Sequence, residues 1–188
     1  MRKVIEGGIY EEYNAFILAQ AVFLSTLDYA HGLNEGGFGE LFGVVQGQCI
    51  NAMILSLTKI FDATDGHNRP RSIPEALRIL TKRTREIELA NDGAYVLSRY
   101  GIDPTLDKDA IIGAIAARMD WRRDRVNPAL TDLRTVRDKY LAHRDRSVRR
   151  EDLPARRLGE INAVAGVVEE FLGITGCAVR LYFGLRRM

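Results

Sequence analysis

Leu41-Phe-Gly-Val-Val-Gln-Gly-Gln-Cys-Ile-Asn-Ala-Met-Ile-Leu-Ser-Leu-Thr58 is the run whose reading decides the fold class of this chain. It carries no charge and approaches the length of a membrane span, yet it holds Gln46, Gln48, Asn51 and two glycines, and no basic residues flank it. It therefore reads as a helix from about Leu41 to Ala63, fully buried and seated at the centre of a bundle. The turn-rich Thr64-Asp-Gly-His-Asn-Arg-Pro70 stops it.

The flanking segments are helical as well. Phe16, Ala19, Gln20, Phe23, Leu24 and Leu27 recur at steps of three and four, which predicts an amphipathic helix from about Ile9 to Tyr29. The glycine-rich stretch from His31 to Gly39 interrupts it, since each glycine costs a helix about 1 kcal/mol. No Gly-Lys-Ser/Thr follows these glycines and no strand pattern precedes them, so they read as a turn and not as a phosphate-cradling loop. Ser72, with Pro74 and Glu75 behind it, caps a helix predicted from about Ile73 to Leu89. Asp107 caps another through Ile111, Ile112, Ile115 and Met119, which should end or bend at Asn127-Pro128; Pro128 then starts the helix that reaches His143. A last long helix is expected from about Leu153 to Phe183. With no alternating strand pattern and no internal repeat, the expected fold is all-α: a bundle of five to six helices with short connections, one domain over residues 1–188.

Composition agrees with one globular domain: of 188 residues 46% are hydrophobic and 28% charged, with only 5 prolines. The start, Met1-Arg-Lys-Val-Ile-Glu-Gly-Gly, runs into acids where a secretory signal needs apolar residues, so export is not expected. Cys49 and Cys177 lie far apart in apolar patterns and read as inert core thiols in a reducing cytoplasm. His31, His67 and His143 fall in separate segments without a ligand pattern, so neither a metal nor another cofactor is expected.

Charge is uneven. From Arg118 to Arg157 there are 13 Lys/Arg against 7 Asp/Glu, within a chain whose overall net charge is only +2. Such a concentration either attracts a polyanion such as RNA or is a solvated helix face. Within it lies Arg137-Asp-Lys-Tyr-Leu-Ala-His143. With Leu130 at zero on a helical wheel, Leu133, Val136 and Tyr140 fall between about 240° and 300° and Arg137 near about 340°, within the apolar stripe. A cation there must be paired, hydrogen-bonded or open to a cleft, because burying it bare costs several kcal/mol. A salt bridge to a neighbouring helix and a functional site both satisfy that demand. His143 lies about 120° round and about 9 Å along a regular helix from Arg137. The two side chains then diverge, unless a two-fold axis brings the same helix from a second copy. A helix-end histidine also serves as a simple cap.

The order Arg, polar residue, then His on a late helix of an α-bundle resembles the HEPN family (higher eukaryotes and prokaryotes nucleotide-binding). The string Leu133-Arg-Thr-Val-Arg-Asp-Lys-Tyr-Leu-Ala-His-Arg-Asp145, together with Leu57-Thr-Lys-Ile-Phe-Asp62, is similar to its AbiU-type abortive-infection branch. That resemblance implies a homodimeric, metal-independent endoribonuclease used as a toxin or phage-defence effector, in some systems held by an antitoxin. It assigns Arg137, Asp138 and His143 to catalysis: His143 as general acid or base, Arg137 on the scissile phosphate, Asp138 orienting either. Lys139, Arg134 and Arg144 would contact the RNA backbone, and Tyr140 would stack a base or pack in the core or a dimer contact. A non-catalytic dimeric module that binds RNA or a protein partner fits the same residues.

Overall fold

The computed structural model describes residues 4–63, 71–89, 93–142, 158–177 and 179–181. A π-helical turn, Ile5–Tyr10, leads into α1 (Glu11–Asp28); the short α2 (Ala30–Glu35) follows, then α3 (Gly39–Ile60), α4 (Ile73–Lys82), α5 (Gly93–Arg99), α6 (Lys108–Val136) and α7 (Leu158–Cys177). A second π-helical turn, Arg137–Ala142, continues α6, and two three-residue strands, β1 (Ile87–Leu89) and β2 (Val179–Leu181), pair antiparallel. The protein is an all-α bundle with that small ribbon at its edge.

The core forms where the proximal parts of α1 and α3 meet α6 and α7. Phe16, Met53, Ile54, Leu57, Ile115 and Phe171 are all buried in it. Polar ties fix the layers: Tyr13 on α1 donates to Glu169 on α7, and the α1 residue Gln20 donates to Asn162 of α7 at 2.8 Å. Burial and the adjacent carboxylate both hold the Tyr13 phenol above its usual pKa. Glu170 on α7 is nearly buried and sits between Arg118 and Arg122 of α6, one cation for each oxygen. Such a carboxylate is tolerated inside because its charge is matched from both sides.

Four expectations change. The central helix is not buried throughout. α3 is long and apolar enough to cross a membrane by length and composition, but only 33% of its most apolar stretch is buried. Its proximal half, Cys49 to Ile60, lies in the core, whereas Leu41 and Val44 at the distal half are 59% and 63% exposed, because the bundle covers only the proximal part. The helix from Ile73 stops at Lys82, and Ile87–Leu89 is a strand, drawn out by its pairing with Val179–Leu181. Those partner residues likewise end the last helix at Cys177; its expected start near Leu153 lies outside the described residues, which resume at Leu158. Ser72 and Asp107 do cap as expected, accepting from Glu75 N at 3.5 Å and Ala110 N at 2.8 Å.

Pro128 neither ends α6 nor starts a new helix; it lies inside one continuous helix. The buried residues Val126, Leu130 and Leu133 anchor the chain on both sides of it, so packing overrides the lost hydrogen bond. The ring itself is exposed. Pro128→Ala therefore restores a helical donor without removing core contacts, and should raise unfolding free energy by roughly 2 kcal/mol. A denaturant titration checks this, and a lower midpoint would contradict it.

Candidate functional site

The site is assembled where the C-terminal ends of α3 and α6 meet. Asp62 follows α3 by two residues, held by its N–H to Lys59 O at 3.2 Å. Arg137 follows Val136, the last residue of α6. Although 75 residues separate them, Arg137 Nη1 donates to Asp62 Oδ1 at 2.7 Å, and Arg137 Nε donates to Asp138 Oδ1 at 2.7 Å. One turn back, Arg134 Nη2 donates to the Phe61 carbonyl at 2.5 Å. That carbonyl belongs to the end of α3, where backbone acceptors lack helical partners and a cation is favoured.

Burial opposes the charged form of Arg137, but the hydrogen bonds it donates to Asp138 and Asp62 outweigh that and hold its pKa above the ordinary arginine value. For Arg134 burial wins: desolvation lowers its pKa, with Asp62 opposing that and Arg137 adding to it. Both remain cationic at any physiological pH. The Arg137 side chain is 20% exposed and that of Asp62 36%. Each of these carboxylates uses one proton of the guanidinium fork, so among the described residues further donors remain at a part-exposed rim for an anion. Beside Asp62 lies a polar cleft of about 340 Å³ lined by Gly7, Gly8, Glu11, Glu12, Lys59 and Arg71. Gly8 is required there, since a Cβ on it would meet the Arg71 Cβ at 2.2 Å.

Arg137–Ala142 is π-helical. A π turn is wider than an α turn and is common at functional positions. The expected divergence of about 120° and 9 Å between Arg137 and His143 assumed a regular α-helix, and that assumption fails over these six residues. The apolar stripe of this helix is also consumed inside the chain: Leu130, Leu133 and Val136 are buried in its own core and offer no interface.

The structure thus brings Arg137, Asp138 and Arg134 together, with Lys139 exposed beside them. His143, Arg144 and the side chain of Tyr140 lie outside what is described. Arg134 is engaged structurally, holding the end of α3. Asp62 is the site residue that sequence reasoning left off its list, although it closed the Leu57–Asp62 string. Among the described residues, no three His, Cys, Asp or Glu side chains converge to hold a metal.

A sequence profile of the AbiU2 HEPN family matches residues 1–175. The chain belongs to that family. It is thus an abortive-infection-associated HEPN module, and the match takes in the first helices as well as the Arg137 segment. No curated protein and no solved structure matches it.

The geometry predicts coupling between Asp62 and Arg137. Both groups are part-exposed, so solvent screening limits the pair to about 1 kcal/mol. A double-mutant cycle of Asp62→Ala and Arg137→Ala in urea should show coupling of that size; additive single effects would mean that the contact is energetically idle.

Proposed function

We propose that this HEPN domain is a metal-independent endoribonuclease acting as a toxin or phage-defence effector in the cytoplasm. The observation that carries the reading is the clamp on Arg137: two carboxylates orient a guanidinium at a part-exposed rim, six residues before His143 in the chain. A guanidinium held in advance pays little orientational cost when it receives a phosphate. Asp62 and Asp138 are the orienting groups, and Lys139 adds backbone affinity without base preference.

In the proposed reaction His143, acting as general base, takes the proton of a ribose 2′-OH. The resulting oxygen attacks the adjacent phosphorus and the bond to the 5′-oxygen breaks. The leaving oxygen takes a proton from water and His143 returns its own to solvent, giving a 2′,3′-cyclic phosphate and a 5′-hydroxyl. Arg137 binds the non-bridging oxygens as their charge grows, the role for which a fork of fixed donors is suited. The family match and the Arg137 clamp support this reading.

Purified protein incubated with single-stranded RNA in chelator should leave those ends, and a 2′-deoxy residue at the cut position should block it. His143→Ala should slow cleavage by about 10²–10⁴-fold and Arg137→Ala by about 10²–10³-fold. Arg137→Lys should stay impaired, because a point charge lacks the fork. Cleavage that survives in both alanine variants would overturn the mechanism. RNA bound equally by all of them and cut by none would assign a binding module instead.

A further inference from the structure

We infer that Trp121 and Arg125, on the outward face of α6, form a platform on which a base of single-stranded RNA stacks while a neighbouring phosphate meets the arginine. This deepens the reading of the Arg137 clamp as an RNA site and rests on it. The two residues are one helical turn apart, and the Arg125 guanidinium carbon lies 5.0 Å from the centroid of the indole ring. That is cation–π distance, so the arginine steadies the indole. Trp121 is nevertheless 50% exposed, and Arg125 and Pro128 on the same face are exposed too. The indole takes no part in the core: at about 100° per residue, the buried Met119, Val126 and Leu130 lie on the opposite side of the helix.

The charges of α6 specify the occupant. The helix carries five arginines, and four are engaged within the chain. Arg118 and Arg122 hold Glu170, Arg123 lies 3.1 Å from Asp120 and 3.8 Å from Asp124, and Arg134 donates to the Phe61 carbonyl. Among the described residues Arg125 has no carboxylate; its contact is the indole. Its charge is therefore available to a phosphate, and the acids nearest to it, Asp120 and Asp124, are already matched by Arg123. An exposed aromatic ring coupled to an unmatched arginine suits a ligand that alternates flat rings with negative charge, which is what single-stranded nucleic acid offers. A duplex keeps its bases stacked inside and would leave the indole unused. An acidic protein segment would satisfy the arginine but brings no regular ring to the indole.

Trp121 precedes Arg137 by 16 residues, which is about 24 Å along the helix. A strand stacked at about 3.4 Å per nucleotide covers that distance in about seven nucleotides. Between Arg125 and Arg137 the sequence holds one acid, Asp132, so like charge does not bar the path. Clamp and platform then grip one RNA at two points. Because every base presents a π face, the platform adds affinity without sequence preference.

Trp121 is the only tryptophan of the chain, so intrinsic emission reports on this site alone. The test titrates the full chain with a single-stranded 2′-O-methyl RNA of about twelve nucleotides, which spans both points and cannot be cut. Emission should be quenched as the RNA binds, with the same midpoint as the anisotropy of a labelled strand. Trp121→Ala should weaken binding about tenfold, and Trp121→Phe should recover most of it. Arg125→Ala should weaken binding with a salt slope shallower by about 0.7. Both side chains are exposed, so the circular dichroism spectrum should stay unchanged in all three variants. RNA that saturates the protein without changing its emission, or that binds Trp121→Ala as tightly as the wild type, would overturn the inference; RNA cleavage retained in that case would leave the proposed function standing. Quenching and Trp121-dependent binding indifferent to Arg137→Ala would uphold the platform and count against the clamp. Poly-glutamate that quenches the indole where RNA does not would overturn the inference in favour of an acidic protein partner.

Discussion

The pairing of Arg137 with Asp62 joins the ends of two helices that would otherwise carry incompatible demands. Arg137 lies on the helical face that also holds Leu130, Leu133 and Val136, all buried, so its charge needs a partner before the helix can seat that face. Asp62, just past the end of α3, supplies it. Arg134, one turn earlier, covers the Phe61 carbonyl beside it. The α3–α6 junction is thereby closed by charge-assisted hydrogen bonds, and the closure leaves an oriented guanidinium at the surface. One arrangement meets a structural requirement and presents an oriented, part-exposed guanidinium.

The π turn that begins at Arg137 belongs to the same constraint. In a regular α-helix the register set by Leu130, Leu133 and Val136 would continue unchanged through Tyr140. The wider turn shifts that register by one residue at the motif, and Leu141, five residues beyond Val136, packs partly buried against the core. Within this turn Asp138 accepts from Arg137 Nε at 2.7 Å.

Much of the fold was legible in the sequence, because three- and four-residue periodicity and side-chain caps are local signals. Ser72 and Asp107 mark real helix starts, and the helical pattern of α1, α3 and α6 is plain. What was hidden depends on distant packing. Nothing near Ile87 announces a strand, since its partner is almost a hundred residues away; Pro128 looks like a boundary until the buried residues around it are known. The apolar run of α3 looked uniformly buried because composition cannot show that the bundle covers only half of it. The site follows the same division. Arg137 stood out as a cation in an apolar stripe, and its need for a carboxylate partner was legible. Which carboxylate was not, because Asp62 becomes a neighbour only when α3 and α6 align.

The central claim is that Arg137 receives a phosphate of RNA. Equilibrium binding of a 2′-O-methyl RNA, which cannot be cut, measured for the wild type and Arg137→Ala over a range of salt, tests it without relying on turnover. Loss of one phosphate contact predicts weaker binding together with a salt slope shallower by about 0.7. Unchanged affinity and unchanged slope would show that the guanidinium serves the α3–α6 junction alone.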